Sequence, residues 1–512
     1  MAGAGHRGHM LAATRSVAVV GVEAVPVTVE VDVAPGLPQW VIVGLAASAV
    51  REARERVSSA LANAGVPVPS RRITVNLAPA DLRKEGTGLD LPIAVALLAA
   101  AGLVTPERLP ALTVVGELGL DGSIRPVRGV LPMTRAVRGI GGAFVLPQAN
   151  AAEAQLGLGT SAVQCLPVAT LDQLLALLRG EGRPAPPATM RAPVAVTSLP
   201  DLADVVGQPR ARRALEIAAA GRHNLLLVGP PGAGKTMLAR RLPGLLPPLD
   251  DAARLEVLAI HSVAGLLTPE RLASDAPPFR APHHGTSLAG LIGGGTGPRP
   301  GEVSLAHRGV LFFDELLEAP RHVLDALRQP LEDGIVTIAR AAHTVRFPAN
   351  AQLVAATNPC PCGRFGEPDA SCVCLPSALA RYRARLSGPL ADRLDLHVPV
   401  GRVPVAALAG GGAAESSAAV RGRVQGAVQQ RESRGRLPPE RTLDHAARQA
   451  LTAAAERLRL SARAWHRAVR VARTIADLDG ADAIGREAVL EAVAYRPAQW
   501  GGSAGDGRPA TA

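Results

Sequence analysis

The chain has 512 residues, with 55 Lys+Arg against 44 Asp+Glu and a formal net charge of +11. That length suggests about three domains, five cysteines are too few for a disulfide scaffold, and no run approaches the ~18 uninterrupted apolar residues of a membrane-spanning helix, so a cytoplasmic protein without a membrane partner is expected. The basic balance permits a polyanion partner, but aromatics are only 2% of residues, so nucleic acid would be held by arginine on phosphate rather than by base stacking.

Residues 10–180 read as one α/β domain. The start imitates a signal peptide weakly, since Arg15 interrupts its apolar part and the valines of Ser16–Val33 alternate as in two strands. Val50, Val57, Leu61 and Ala64 have helical spacing that closes at Gly65. A strand ITVNLAP, the loop Asp81–Asp90 and a buried helix LPIAVALLAAAGL follow. TVVGELGLDGSIRPV predicts a hairpin turning at Asp121-Gly122, and FVLPQAN predicts a further strand. Residues 181–200, rich in Pro, Gly and Ala, are the expected linker.

The second domain, 201–400, is organised around HNLLLVGPPGAGKTMLAR. Leu225–Val228 reads as a buried strand, and Gly229, Pro230, Pro231, Gly232, Ala233, Gly234, Lys235 and Thr236 match G-x-x-x-x-G-K-[ST] before helical spacing resumes. Glycines let backbone N–H groups curl around phosphate, and the helix N-terminus adds about half a positive charge. Lys235 would reach the β- and γ-phosphates of ATP, and the Thr236 hydroxyl would hold Mg²⁺. Lys235 is one of only two lysines in the chain, the other being Lys84, which suggests a site that demands a compact ammonium. GVLFFDEL is a buried strand ending in two acids. Asp314 is expected on the Mg²⁺ water shell and Glu315 on the attacking water. LVAATN ends a third strand in Asn358, placed to reach the γ-phosphate or the water.

Residues 401–440 open with GRVPVAALAGGGAAESS and are expected as a hinge, 441–497 as a helical domain, and 498–512 as a disordered tail. Four of the five cysteines, Cys360, Cys362, Cys372 and Cys374, lie within fifteen residues. In a cytoplasmic chain they suggest tetrahedral Zn²⁺ before disulfides, although C-x-C is tighter than usual and an inert reduced loop is the alternative.

These motifs, with FRAPHHGTSLAGLIGGGTGPRPGEVSLAHRGVLFFDEL, NPCPCG and YRARLSGPLADRLDLHV, resemble AAA+ ATPases, and specifically the magnesium-chelatase-like YifB/ComM family, over roughly residues 10–497. The resemblance implies a Lon-protease-like (ribosomal S5-like) α/β N-terminal domain, an AAA+ α/β core with Asn358 as sensor 1, and a C-terminal helical lid. It implies Met10 as the start of translation, a homo-hexameric ring, Arg393 as an arginine finger in trans, and Arg463 as sensor 2, with Arg467 one turn away as the alternative. His283, His284 and Gly293–Gly295 would belong to a hairpin insert facing the pore, the histidines more as a polar contact than a metal site. In the Lon-like comparison Gly88 falls where the nucleophile would be, beside Thr87. The segment that should supply the lysine base has none, so peptidase activity is not expected. Relatives of the ComM type imply a DNA translocase or helicase promoting branch migration in recombination or natural transformation. Thirteen Arg against four acids between Arg421 and Arg473 agree with DNA, though such a run is also what a solvated helix face looks like. A magnesium-chelatase ATPase subunit and a protein-remodelling ATPase are the alternatives.

Overall fold

The alternating valines form two antiparallel strands, β1 (Met10–Val20) and β2 (Glu23–Ala34). In this computed structural model, which describes residues 10–181, 199–295, 297–339, 344–367, 372–386, 388–404, 414–435 and 437–496, Val27, Val29, Val31 and Val33 are all buried, the period of two a half-buried strand requires. β3 (Gln39–Val43), β4 (Arg72–Ala78), β5 (Leu112–Val114), β6 (Ala143–Pro147) and β7 (Gln164–Val168) complete a seven-stranded mixed sheet in the order β3-β4-β2-β1-β5-β6-β7. The apolar segment after Asp90 is a helix, Asp90–Ala100, buried at every residue. Asp90 opens it and accepts from Arg56 at 2.6 and 2.9 Å. The hairpin turns where expected, with Glu117–Leu118 against Ile124–Arg125 and Gly122 at φ +82°. Residues 1–9, nearly all of the expected linker and the expected tail lie outside the described residues.

Lys84 is 0% exposed. Its ammonium donates to Leu77 O at 2.8 Å, Gly44 O at 3.2 Å and Pro79 O, and burial lowers its pKa. Three acceptors around one small cation suit an ammonium better than a planar guanidinium. The Thr87 hydroxyl meanwhile donates to Glu117. Among the described residues, then, neither Thr87 nor Gly88 meets a lysine base.

The chain divides into two units: Met1–Val194 with Leu255–Ser274 and Thr296–Arg299, and Ala195–Arg254 with Asp275–Gly295 and Pro300–Ala512. The boundary between the units thus runs through the 201–400 stretch. Residues 255–274 fold with the first unit, where Gly129 N donates to Ser262 O at 3.2 Å and the Ser262 hydroxyl to Glu153.

In the second unit β8 (Leu225–Val228), β9 (Phe279–Arg280), β10 (Val310–Phe313), β11 (Gln352–Thr357) and β12 (Leu396–Pro399) form an all-parallel sheet, ordered β9-β10-β11-β8-β12. β10 and β11 are buried throughout, as strands covered on both faces must be. The second half of the expected hinge contains a helix. Ser417–Arg434 is an 18-residue helix whose first turn is capped by the Ser416 hydroxyl accepting from Ala419 N. Val420, Val424 and Ala427 form its buried stripe, and it packs on the helix Pro209–Gly221. The region beyond is helical as expected, with helices His445–Leu458, Ala462–Leu478 and Arg486–Ala494.

Lys84→Met keeps the length of the stem but takes the ammonium donor from three carbonyls, of which that of Leu77 is buried. It should lower the unfolding free energy of the first unit by about 3 kcal/mol, read by urea denaturation. An unchanged midpoint would show that the ammonium holds nothing.

Candidate nucleotide site

The parallel strands end together, and the expected residues gather at their carboxyl edge, where open α/β sheets bind ligands. β8 runs into Gly229, whose N–H donates to Thr357 O at 3.1 Å on β11. A Cβ on Gly229 would collide with Val400 O, so only glycine fits between the two neighbouring strands. Gly232 and Gly234 have φ of +79° and +89°, the left-handed region that favours glycine. Lys235 opens the following helix. Its Nζ donates to Gly229 O at 2.6 Å, Pro230 O at 2.9 Å and Asn358 Oδ1 at 3.1 Å. Desolvation lowers its pKa, while Asp314 and Glu315 act the other way. Thr236 Oγ1 donates to Asp314 Oδ2 at 2.7 Å, and the other Asp314 oxygen accepts from Glu315 N at 3.0 Å. Lys235, Thr236, Asp314, Glu315 and Asn358 are thus one cluster, drawn from three strand ends.

Two features were not foreseen. His284 Nδ1 lies 3.5 Å from Glu315 Oε2, with the His283 ring 4.0 Å from its own. His284 therefore addresses the acid expected to polarise water. A cavity of about 660 Å³ is lined by Leu202, Val206, Gly207, Pro209 and Arg213, among others. Gln208, in the same turn, donates to Gly401 O at 2.6 Å, and Gly401 follows the strand beside β8. The signal was available: Gly207-Gln208 directly precedes Pro209 at the start of a helix, and both residues take positive φ.

The expected arginine finger and sensor 2 are elsewhere. Arg393, 7% exposed, donates to Pro389 O at 2.6 Å and to Glu332. A cavity of about 220 Å³ joins it to Arg463, Arg467 and Arg470. This cluster lies beside Asp395, at the amino end of β12. Asp395 accepts from Asn224 N at 3.0 Å and from Arg467 at 2.8 Å, and Asn224 precedes β8. A four-residue strand spans roughly 13 Å, so Arg393, Arg463 and Arg467 sit at the opposite edge from their own phosphate loop. The structure brings these three together and does not bring them to Lys235.

The four clustered cysteines adjoin the phosphate loop. Cys360 Sγ is 3.4 Å from Cys362 Sγ and 3.7 Å from Cys372 Sγ, and Cys362 is 3.6 Å from Cys372. All four sulfurs, Cys374 included, lie within 4.8 Å of one another. Backbone N–H groups of Arg364 and Val373 pull the Cys362 thiol down to about 6.

A parallel sheet of this order with a phosphate loop, an acidic strand end and a polar sensor amide defines an AAA+ domain of the magnesium-chelatase kind. Family profiles agree: "Magnesium chelatase, subunit ChlI" matches residues 201–408, "Subunit ChlI of Mg-chelatase" 29–150, and "Magnesium chelatase, subunit ChlI C-terminal" 414–496. The chain is 44% identical to the uncharacterized protein YifB of Salmonella typhimurium, over 95% of this chain and 97% of that one. It is 43% identical to the competence protein ComM of Haemophilus influenzae, over 95% and 97%. Identity to the magnesium-chelatase 67 kDa subunit of Heliobacterium mobile is 29%, over 40% of this chain and 32% of that one. The chain belongs to the YifB/ComM family of magnesium-chelatase-like proteins. Among the described residues no helix is long and apolar enough to cross a membrane.

Asp395 is buried among cationic partners. Burial pushes its pKa up, but His223, Arg467 and Arg470 outweigh that and hold it well below the carboxylate range. Its folded value being the lower, the stabilisation is complete above the unfolded value of about pH 4 and is lost progressively as pH falls from there through the folded value. Asp395→Asn should cost about 3 kcal/mol at pH 7, the cost of breaking a buried pair, with the gap to wild type narrowing below pH about 4. Urea unfolding across that range is the measurement, and a gap independent of pH would refute the assignment.

Proposed function

We propose that this protein is an Mg²⁺-dependent ATP hydrolase that works as a homo-hexameric ring and moves DNA. The cluster of Lys235, Thr236, Asp314, Glu315 and Asn358 carries the hydrolase reading. The 2.7 Å contact of Thr236 with Asp314 pairs two oxygen ligands of the hard kind Mg²⁺ takes, so these residues would hold it. When bound, the ion neutralises charge on the β- and γ-phosphate oxygens. Lys235 would bond the same oxygens, and the 660 Å³ cavity is large enough for the nucleoside. Glu315 would take the proton of a water attacking the γ-phosphorus as the bond to the bridging oxygen breaks, with Asn358 orienting that water and His284 holding Glu315 in place.

The arginine cluster supports the ring. Groups at the far edge of the sheet cannot serve their own nucleotide, but a ring presents that edge to the neighbour's phosphate loop. Arg393, released from Glu332, would be the finger, and Arg463 or Arg467 would act beside it on the same phosphates. The Lon-like N-terminal comparison, with no nucleophile–lysine pair in the described residues, favours an assembly or substrate-binding role for that domain.

Net charge of +11 and a relative named for competence support DNA. The C-terminal arginines support it less than their number suggests. Arg423 bonds Glu216 and Glu415, Arg434 and Arg473 bond Asp477, and Arg467 bonds Asp395. Arg280, at first sight a pore contact, is tied to Glu302 at 2.6 and 2.7 Å. Arg299 is exposed and is the better probe. The second reading, a magnesium-chelatase ATPase subunit, draws on the names of the family profiles.

Glu315→Gln should bind ATP while losing nearly all turnover, and Lys235→Ala should lose binding as well. Arg393→Ala should bind ATP but hydrolyse it about 10³-fold more slowly. Mixing it with Lys235→Ala should restore activity through interfaces that pair an intact loop with an intact arginine. Mixed rings without rescue would exclude action in trans.

Single-stranded and branched DNA should stimulate hydrolysis, and six or so phosphate contacts would cost about 10³-fold in affinity between 50 and 200 mM salt. Arg299→Ala should reduce the stimulated rate more than the basal one. Hexamers that neither bind DNA nor respond to it at low salt would refute the DNA reading.

A further inference from the structure

The cysteine cluster follows directly on the residue that touches Lys235. Asn358 directly follows β11, and two residues later Cys360, 0% exposed, begins a tight turn in which Gly363 N donates to Cys360 O at 3.0 Å and Phe365 N to Cys360 Sγ at 3.3 Å. Gly363 takes φ +78°, and a Cβ there would lie 2.6 Å from Pro231 Cδ in the phosphate loop. The turn is packed against the loop so closely that only glycine fits. Two more contacts hold it from outside: Arg383 stacks 4.6 Å over the Phe365 ring, and Arg402 pairs with Glu367 at 3.3 Å.

Four thiolates at Zn–S bonds of about 2.3 Å set sulfurs about 3.8 Å apart in a tetrahedron. The sulfur pairs at 3.4, 3.6 and 3.7 Å are close to that spacing and far from the roughly 2.05 Å of a disulfide. An N–H···S bond onto the buried ligand is the outer support that metal-bound thiolates use. The ligands come from two short stretches of chain, joined across 360–362 and 372–374 by weak sulfur–sulfur contacts and a backbone N–H···S bond from Val373 to Cys362.

We propose that Cys360, Cys362, Cys372 and Cys374 bind one structural Zn²⁺, and that this ion holds the Asn358 turn against Pro231, keeping the phosphate loop and Asn358 in register. The second half rests on the nucleotide site proposed above; the first half does not. All four positions of the metal are taken by protein sulfur, so the ion is closed to substrate and acts on ATP only through the geometry of the turn.

The test uses the full chain purified without added metal. Elemental analysis should find about one zinc per chain, and Co²⁺ replacement should give the absorption of a tetrahedral tetrathiolate. The Cys362→Ser/Cys374→Ser protein should lose the zinc, whereas Cys165→Ser, altered in the other unit, should keep it. A fluorescent ADP should bind the zinc-free protein roughly tenfold more weakly, the effect of misplacing one hydrogen bond at a charged group. Should the double variant fail to fold, zinc release from wild type by a mercurial, followed by the same ADP titration, gives the same reading. Wild-type protein without zinc, its four thiols freely titratable or paired as disulfides, overturns the site. Zinc that is bound and can be removed without change in ADP affinity overturns the brace. Wild type that holds zinc but binds no ADP upholds the metal site and overturns the nucleotide reading instead.

Discussion

The second unit depends on how β8 is held. Its four residues pair on one side with β11 and on the other with β12, and Gly229 continues that pairing by one more hydrogen bond to Thr357. Because the strands are parallel and in register, the chain must leave the sheet at the same edge from β8, β10 and β11. Loop, acids and amide meet there for that reason. The 2.7 Å contact of Thr236 with Asp314 and the 3.1 Å contact of Lys235 with Asn358 are consequences of strand register. Neither needs help from a neighbouring loop.

The same geometry fixes what the site lacks. Parallel strands have a distinct amino edge, and there Asp395 collects Asn224 N and Arg467 while His223 lies 3.7 Å away. Arg393 is anchored a few residues from that acid. A rigid sheet therefore separates the phosphate-binding edge from the arginine-rich edge of one chain, and no rotamer change can bring them together. Glu332 partners Arg393 in this arrangement, so a charge that is buried and costly to leave alone is neutralised within the chain.

What could be read from the sequence was local. The phosphate loop, the acidic strand and the sensor strand declare themselves because glycine spacing, a buried run and a terminal polar residue are all contained in a few positions. The valine pair β1–β2 and the Asp121-Gly122 turn were legible for the same reason. The helix Ser417–Arg434 was hidden by its neighbours: a glycine–alanine stretch precedes it, and only Val420, Val424 and Ala427 mark its buried face among polar residues. The membership of residues 255–274 in the first unit depends on partners such as Glu153, more than a hundred positions away. His284 against Glu315 and the pairing of Arg393 with Glu332 are likewise tertiary. Charge along a chain does not reveal which guanidinium groups, such as Arg423, Arg434, Arg467 and Arg473, are already paired with internal acids.

Arginine has replaced lysine nearly everywhere in this chain, and the two that survive are both withdrawn from solvent: Lys84 is 0% exposed and Lys235 9%. The folded surface therefore offers amine chemistry almost nothing beyond the chain's own α-amino group. Acetyl donors, amine-directed crosslinkers and lysine-specific proteases meet a protein to which they are nearly blind. An acyl mark on Lys235 would remove the charge that faces phosphate, so the one side-chain amine near the surface is also a direct reporter of whether the phosphate loop is covered.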